Sequence, residues 1–197
     1  AQSFQDVLIT ASRYTFTLNN QKVSKKSNSS FFIGSVEFSG NLLSALEPIL
    51  ELQKDPESGE STVAGVPYAQ YVKLDLDYRN TTKIRGNSQF VWRLFSGYTQ
   101  TYGNTKGLPP FEKSYFGGGS NDIRGWQAYR LGPGNFSNDR YESDSNVYSA
   151  TAPIKLMFNV EYRFPIFNSL KGAIFLDMGN IWIYNEEVKH AEAGVPI

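Results

Sequence analysis

Cysteine is absent from the 197 residues, so neither a disulfide nor a thiolate metal centre can be built. Histidine occurs once, at His190, which removes any histidine cluster. No apolar run approaches the roughly 18 residues that a membrane-crossing helix needs. Crossing by strands stays open, because a strand spans with about 9 to 11 residues of which only alternate ones need be apolar. Charge of one sign is lacking too: 19 basic side chains stand against 19 acidic ones, leaving no net field to draw in nucleic acid or an acidic partner. The opening residues, AQSFQDVL, do not have the basic-then-apolar form of a secretion signal.

What the chain has in quantity is strict alternation. In YAQYVKLDLDYRN, residues 68–80, Val72, Leu74, Leu76 and Tyr78 fall on one parity and Lys73, Asp75, Asp77 and Arg79 on the other. A period of two is the mark of a strand with one apolar and one polar face. PIKLMFNVEYRF, residues 153–164, splits the same way, with Ile154, Leu156, Phe158, Val160, Tyr162 and Phe164 against Lys155, Asn159, Glu161 and Arg163. Segments 5–19, 31–40, 89–103 and 171–184 read alike, which gives six strands joined in antiparallel order. Their connections alternate in length: short at 20–30, 83–88 and 167–170, long at 41–67 and 104–152.

A soluble sandwich and a membrane barrel both alternate, but short turns at one end and long loops at the other favour the barrel. Tyr98, Tyr102, Trp182 and Tyr184 at strand ends fit either an interfacial girdle or the edge of a core. The expected fold is therefore all-β: an antiparallel transmembrane β-barrel fragment. Six strands cannot close such a barrel, whose smallest single-chain examples have about eight, so residues 1–197 are expected to be part of a longer barrel domain. NLLSALEPILELQKD, residues 41–55, has apolar residues near helical spacing and reads either as a short helix in an outer loop or as irregular chain over the rim.

The second long connection carries GGGSNDIRGW, residues 117–126, in which Gly117, Gly118, Gly119 and Gly125 surround Arg124. As a phosphate cradle it is weak, because no lysine follows at the Walker spacing. The acidic run SNDRYESDSN, residues 137–146, lacks the spacing of a calcium loop. Neither a metal nor a cofactor is expected.

A turn centred near Ser169 would set Glu161 and Asp177 opposite each other on the polar parity, and two facing carboxylates repel. An arginine brought in by a loop folded against that face would offset the repulsion, since its planar fork bonds carboxylates in pairs. Flanking glycines permit close approach to the wall. The alternative is that Glu161 pairs locally with Lys155 or Arg163 while Arg124 reaches solvent. Another reading makes Glu161 and Asp177 the acid and base of a glycoside hydrolase.

IRGW preceded by FGGGSND and followed by LGPG resembles the loop signature, (V/I)RG(F/Y/W), of the bacterial surface antigen family, the outer-membrane assembly and translocation barrels of the BamA and TamA kind. NVEYRFP and IFLDMGNIW are similar to the two strands that follow that loop. GNLLSAL, YVKLDLDYR and LPPFEKSYFGGGSNDIRGW look most like the Bacteroidetes lipoprotein branch called TamL. The resemblance implies a sixteen-stranded barrel whose sixth outer loop tucks into the lumen. It makes Arg124 the tether, Asp177 and Glu161 its acceptors, and Gly117, Gly118, Gly119, Ile123, Gly125 and Trp126 the loop signature. Tryptophan stands at Trp126 where phenylalanine or tyrosine is commoner. The implied function is non-enzymatic insertion or translocation of proteins at the outer membrane, with a passive porin as the alternative. The implied partners are the outer-membrane lipid bilayer, nascent outer-membrane or secreted proteins as substrates and a periplasm-spanning TamB-like protein, with no nucleic acid.

Overall fold

The computed structural model describes residues 6–20, 28–56, 58–134, 150–167 and 169–184. The acidic run at 137–146 and His190 lie outside the described residues. Six long strands form one antiparallel sheet in the order β1 (Ala11–Asn19), β2 (Ser29–Ser39), β6 (Tyr71–Lys83), β7 (Gln89–Thr101), β8 (Ile154–Phe167) and β9 (Leu170–Trp182). Each strand pairs with the next of these along the chain, across three short turns and two long connections. The first long connection holds α1 (Asn41–Leu50) and a small sheet of β3 (Gln53–Lys54), β4 (Ser61–Val63) and β5 (Val66–Pro67). Elements of two or three residues carry too little periodicity to be read from sequence.

The first strand is shorter than the alternation suggests. Residues 6–10 leave the ladder, and Leu8 instead makes a parallel bridge to Tyr68 through Leu8 N to Pro67 O at 2.9 Å and Ala69 N to Leu8 O at 2.9 Å.

Register decides which side chains share a face. From β1 to β9 the ladders join odd-numbered residues to odd and even to even, as in Ser35↔Asp75, Leu76↔Ser96 and Asn159↔Asp177. The strand alternation therefore adds up coherently across the sheet. Even positions make the apolar face, and it is bare: Tyr14, Phe16, Leu18, Leu74, Leu94, Leu156, Ile174 and Leu176 are all exposed. Odd positions make the polar face, and in the middle of the sheet it is covered, with Ser35, Glu37, Asp77, Thr99 and Met157 all buried, while on β1 it is exposed. A water-soluble sandwich would bury the first set and wet the second. The reversed arrangement is that of a sheet whose apolar side faces lipid.

One register differs from the sequence reading. Asp177 lies opposite Asn159, and Glu161 lies opposite Phe175, so the two acids are diagonal neighbours rather than a facing pair. The reason is a register shift between Pro165 and Phe167, which offsets the ladder from the one that a turn centred at Ser169 would set.

In the full-length barrel, Leu76→Arg on the even face should destabilise folding into lipid vesicles by about 2–4 kcal/mol. Thr15→Arg on the odd face should change it by about 0.5 kcal/mol or less. Equal costs in urea titrations of vesicle-folded protein would contradict the assignment of faces.

Candidate functional site: an arginine loop against the inner wall

Residues 113–124, in the connection between β7 and β8, run over the odd face and bond to side chains of β2, β6, β7, β8 and β9. The signature segment folds back on itself: Gly119 N donates to Trp126 O at 2.9 Å, Tyr129 N donates to Gly117 O at 3.0 Å, and Gly117 bridges Leu131. The two passes lie so close at Gly118 that a Cβ there would sit 2.2 Å from Gln127 O, and its φ of 94° is one that side chains disfavour. That crossing requires glycine. It turns Ile123 and Arg124 toward the wall, where Ile123 is buried, while Gly125 and Trp126 stay exposed.

Arg124 is held mainly by Asp177. Its Nε donates to Asp177 Oδ2 at 2.7 Å, its Nη2 to Oδ1 at 2.8 Å, and its backbone N to Oδ2 at 3.0 Å. The third guanidinium nitrogen, Nη1, donates to Glu161 Oε2 at 3.0 Å. The guanidinium also lies 3.7 Å from the centroid of the Phe175 ring, an aromatic on the polar parity of β9. Asn159, directly across from Asp177, donates to its Oδ1 at 2.9 Å and to Asp122 O at 2.8 Å. The Asp177 carboxylate thus accepts from four donors and is only 2% exposed, whereas the Arg124 side chain keeps 28% of its surface. Carboxylate bonds raise the Arg124 pKa above its already high ordinary value, so the cation is permanent.

Glu161 also accepts from Arg163 Nε at 2.5 Å, so the local pairing and the bond to Arg124 exist together. Asp122, two residues before Arg124, takes Lys155 Nζ at 2.8 Å. Around the loop tip, Arg124, Lys155 and Arg163 balance Asp122, Glu161 and Asp177, which lets six charges share one surface without net repulsion.

A second contact area lies four strands away. Lys113 Nζ donates to Glu37 Oε1 at 2.8 Å, and Tyr71 Oη donates to the same oxygen at 2.6 Å. Tyr115 donates its hydroxyl to the Asp75 carboxylate, and Lys73 Nζ sits 4.1 Å from its ring centroid. Burial first, then the Asp75 bond, pushes the Tyr115 pKa well above the ordinary phenol value, so the hydroxyl remains a donor. The ring fits because the wall is bare at Gly97, where a Cβ would stand 2.5 Å from Tyr115 Cζ.

The structure brings Arg124, Glu161 and Asp177 together, with Gly117, Gly118, Gly119, Ile123 and Gly125 shaping the turn and Trp126 outside it. Sequence reading did not single out Asp122, Asn159, Phe175, Lys113, Tyr115 or Gly97 as members. Among the described residues no group of three or more His, Cys, Asp or Glu side chains is placed to hold a metal.

A family model described as the Omp85 superfamily domain matches residues 58–196, well over half of the chain. That domain is characteristic of bacterial outer-membrane β-barrel proteins, and the exposed apolar face accordingly faces the lipid of that membrane.

Arg124→Ala should leave Asp177 buried with its charge unmatched and cost about 3 kcal/mol, at the low end for a broken buried pair because the guanidinium keeps some water. Arg124→Lys should recover only part of this, since an ammonium cannot make the forked contact. Protease nicking within the loop of the full-length barrel should rise for both, most for the alanine variant; nicking equal to the parent would contradict the anchoring. Gly97→Val should expel the Tyr115 ring and increase nicking near Lys113 while leaving the Arg124 contacts in place.

Proposed function

This chain belongs to the Omp85 superfamily, and we propose on that footing that it is part of the barrel of an outer-membrane protein insertion or translocation factor of the BamA and TamA kind. The resemblance of its loop and strand motifs supports the TamL branch. The same reading makes residues 1–197 roughly the eighth to thirteenth strands of a sixteen-stranded barrel, and gives it nascent outer-membrane or secreted proteins as substrates and a TamB-like periplasmic partner. The observation that carries it is the loop laid over the inner face and fixed at Arg124. An assembly barrel needs a closed lumen and a rigid wall while other strands of the barrel exchange partners, and a loop bonded to β2, β6, β8 and β9 supplies both.

Arg124 is then the tether, Asp177 and Glu161 the acceptors, and the glycines the relief that lets the backbone turn against the wall. The role is positional, and no bond in a substrate is made or broken by these residues. Hydrolysis by Glu161 and Asp177 is disfavoured because both carboxylates are spent on Arg124, which leaves neither free to carry the proton of a general acid. A passive porin is disfavoured by the covering of the polar face, which in an open channel would be wet.

The full-length protein in planar bilayers should show low, flickering conductance, and the double variant Arg124→Ala with Asp177→Asn should show larger and longer openings. In vesicles, the parent should accelerate insertion of an unfolded outer-membrane protein and the double variant should lose most of that acceleration. A large, steady pore in the parent with no effect on insertion would favour the porin instead.

A further inference from the structure

Helix α1 leaves much apolar surface uncovered for a helix lying on a protein in water. Leu42, Ala45 and Ile49, at i, i+3 and i+7, form one face, and all three are exposed, Leu42 at 70% and Ile49 at 76%. Leu50 extends the exposed apolar surface. Leu43, Ser44, Leu46 and Glu47 are the half-buried side that meets the protein, and the exposed Asn41 also bonds to it. Asn41 Oδ1 accepts from Tyr102 Oη at 2.6 Å and from Gln70 Nε2 at 3.3 Å, and Glu47 accepts the hydroxyl of Ser61. A surface helix in water carries polar side chains on its open face, where α1 has Leu42, Ala45 and Ile49.

Its position explains the uncovered apolar residues. Gln70 and Tyr102 are even-numbered and continue, beyond the ends of β6 and β7, the parity that carries the lipid-facing side chains of those strands. Tyr68, two residues before Gln70, is buried in the same region. Helix α1 therefore leans on the outer side of the sheet's rim rather than over the mouth of the lumen. Only Ser39 and Gly40 separate it from Phe38, an exposed apolar residue of the lipid-facing parity, so the helix begins within roughly 10 Å of the apolar band at about 3.3 Å per extended residue. Tyr98 and Tyr102, amphipathic rings suited to the headgroup level, lie at the same end of the sheet.

We propose that α1 is an interfacial helix, docked by the side that carries Leu43, Ser44, Leu46 and Glu47 to the outer rim of the barrel and sunk by Leu42, Ala45 and Ile49 into the outer leaflet beside β2 and β6. The occupant of its exposed face is the acyl and headgroup boundary of the bilayer. The inference follows from continuity with the lipid-facing side of the sheet and holds whatever the barrel's function. Glu47 does not oppose it, because its carboxylate is turned to Ser61 and not to the membrane. The first long connection is then a second, lateral grip on the membrane that fixes the tilt and depth of this wall.

The test uses the full-length protein folded into phosphatidylcholine vesicles, with single bimane labels at Leu42→Cys, Ile49→Cys and, as an exposed reference on the same connection, Lys54→Cys; the segment has no cysteine to compete. Labels at 42 and 49 should be quenched several-fold more strongly by lipids carrying a nitroxide near the headgroup than the label at 54, and several-fold less by aqueous iodide. Iodide quenching equal at all three positions would overturn the proposal by placing the face in water. Protection from both quenchers would overturn it by placing the face against protein. Retained heat-modifiable migration on gels keeps either result distinct from misfolding.

Discussion

The contact between Arg124 and Asp177 is the constraint on which the inner side of this molecule depends. A carboxylate that is nearly sealed from solvent on a sheet wall is tolerable only when its oxygens are bonded and its charge matched. Asp177 meets that condition with three donors from one loop residue and a fourth from Asn159 on the neighbouring strand. Because one donor is the backbone N–H of Arg124 itself, the bond fixes the path of the chain as well as the position of a side chain. The loop then cannot drift along the wall without uncovering the acid, and its glycines are consequences of that fixed path.

The two faces of the sheet obey opposite rules for one reason: the solvent differs on each side. Toward lipid, unbonded polar groups are costly and bare leucine and phenylalanine are not. Toward the lumen, charges are affordable only if they are matched, and the covered odd face carries its arginines, lysines, aspartates and glutamates in bonded sets. Arg93, for example, closes on Asp77 at 2.7 Å while its Nη1 reaches the loop carbonyl of Asn121 at 3.1 Å. Wall and loop are thus parts of one network, and β7 is tied to the loop through its own arginine.

Holding a long loop at two separated places has a mechanical consequence. Contacts at Glu37 and Asp75 on one side, and at Glu161 and Asp177 on the other, make the loop a strut across the strands between them. A strut resists bending of the wall more than either anchorage alone, since bending must break one set of charge-assisted bonds.

The sequence by itself determined the strands, their order and their two faces, because a period of two repeated through six segments admits only one consistent partition and short turns admit only antiparallel neighbours. It also pointed to Arg124, Glu161 and Asp177, through glycines that surround one cation and acids that recur on one parity. Tertiary structure decided the rest. A register shift between Pro165 and Phe167 made the acids diagonal and brought Asn159 and Phe175 to the arginine, and no local pattern announces such a shift. The seating of Tyr115 over Gly97, and the exposure of Leu42 and Ile49 on α1, were equally hidden. Periodicity reports which residues are alike along a chain, whereas contacts between segments far apart in sequence are chosen by packing and by what solvent each surface meets.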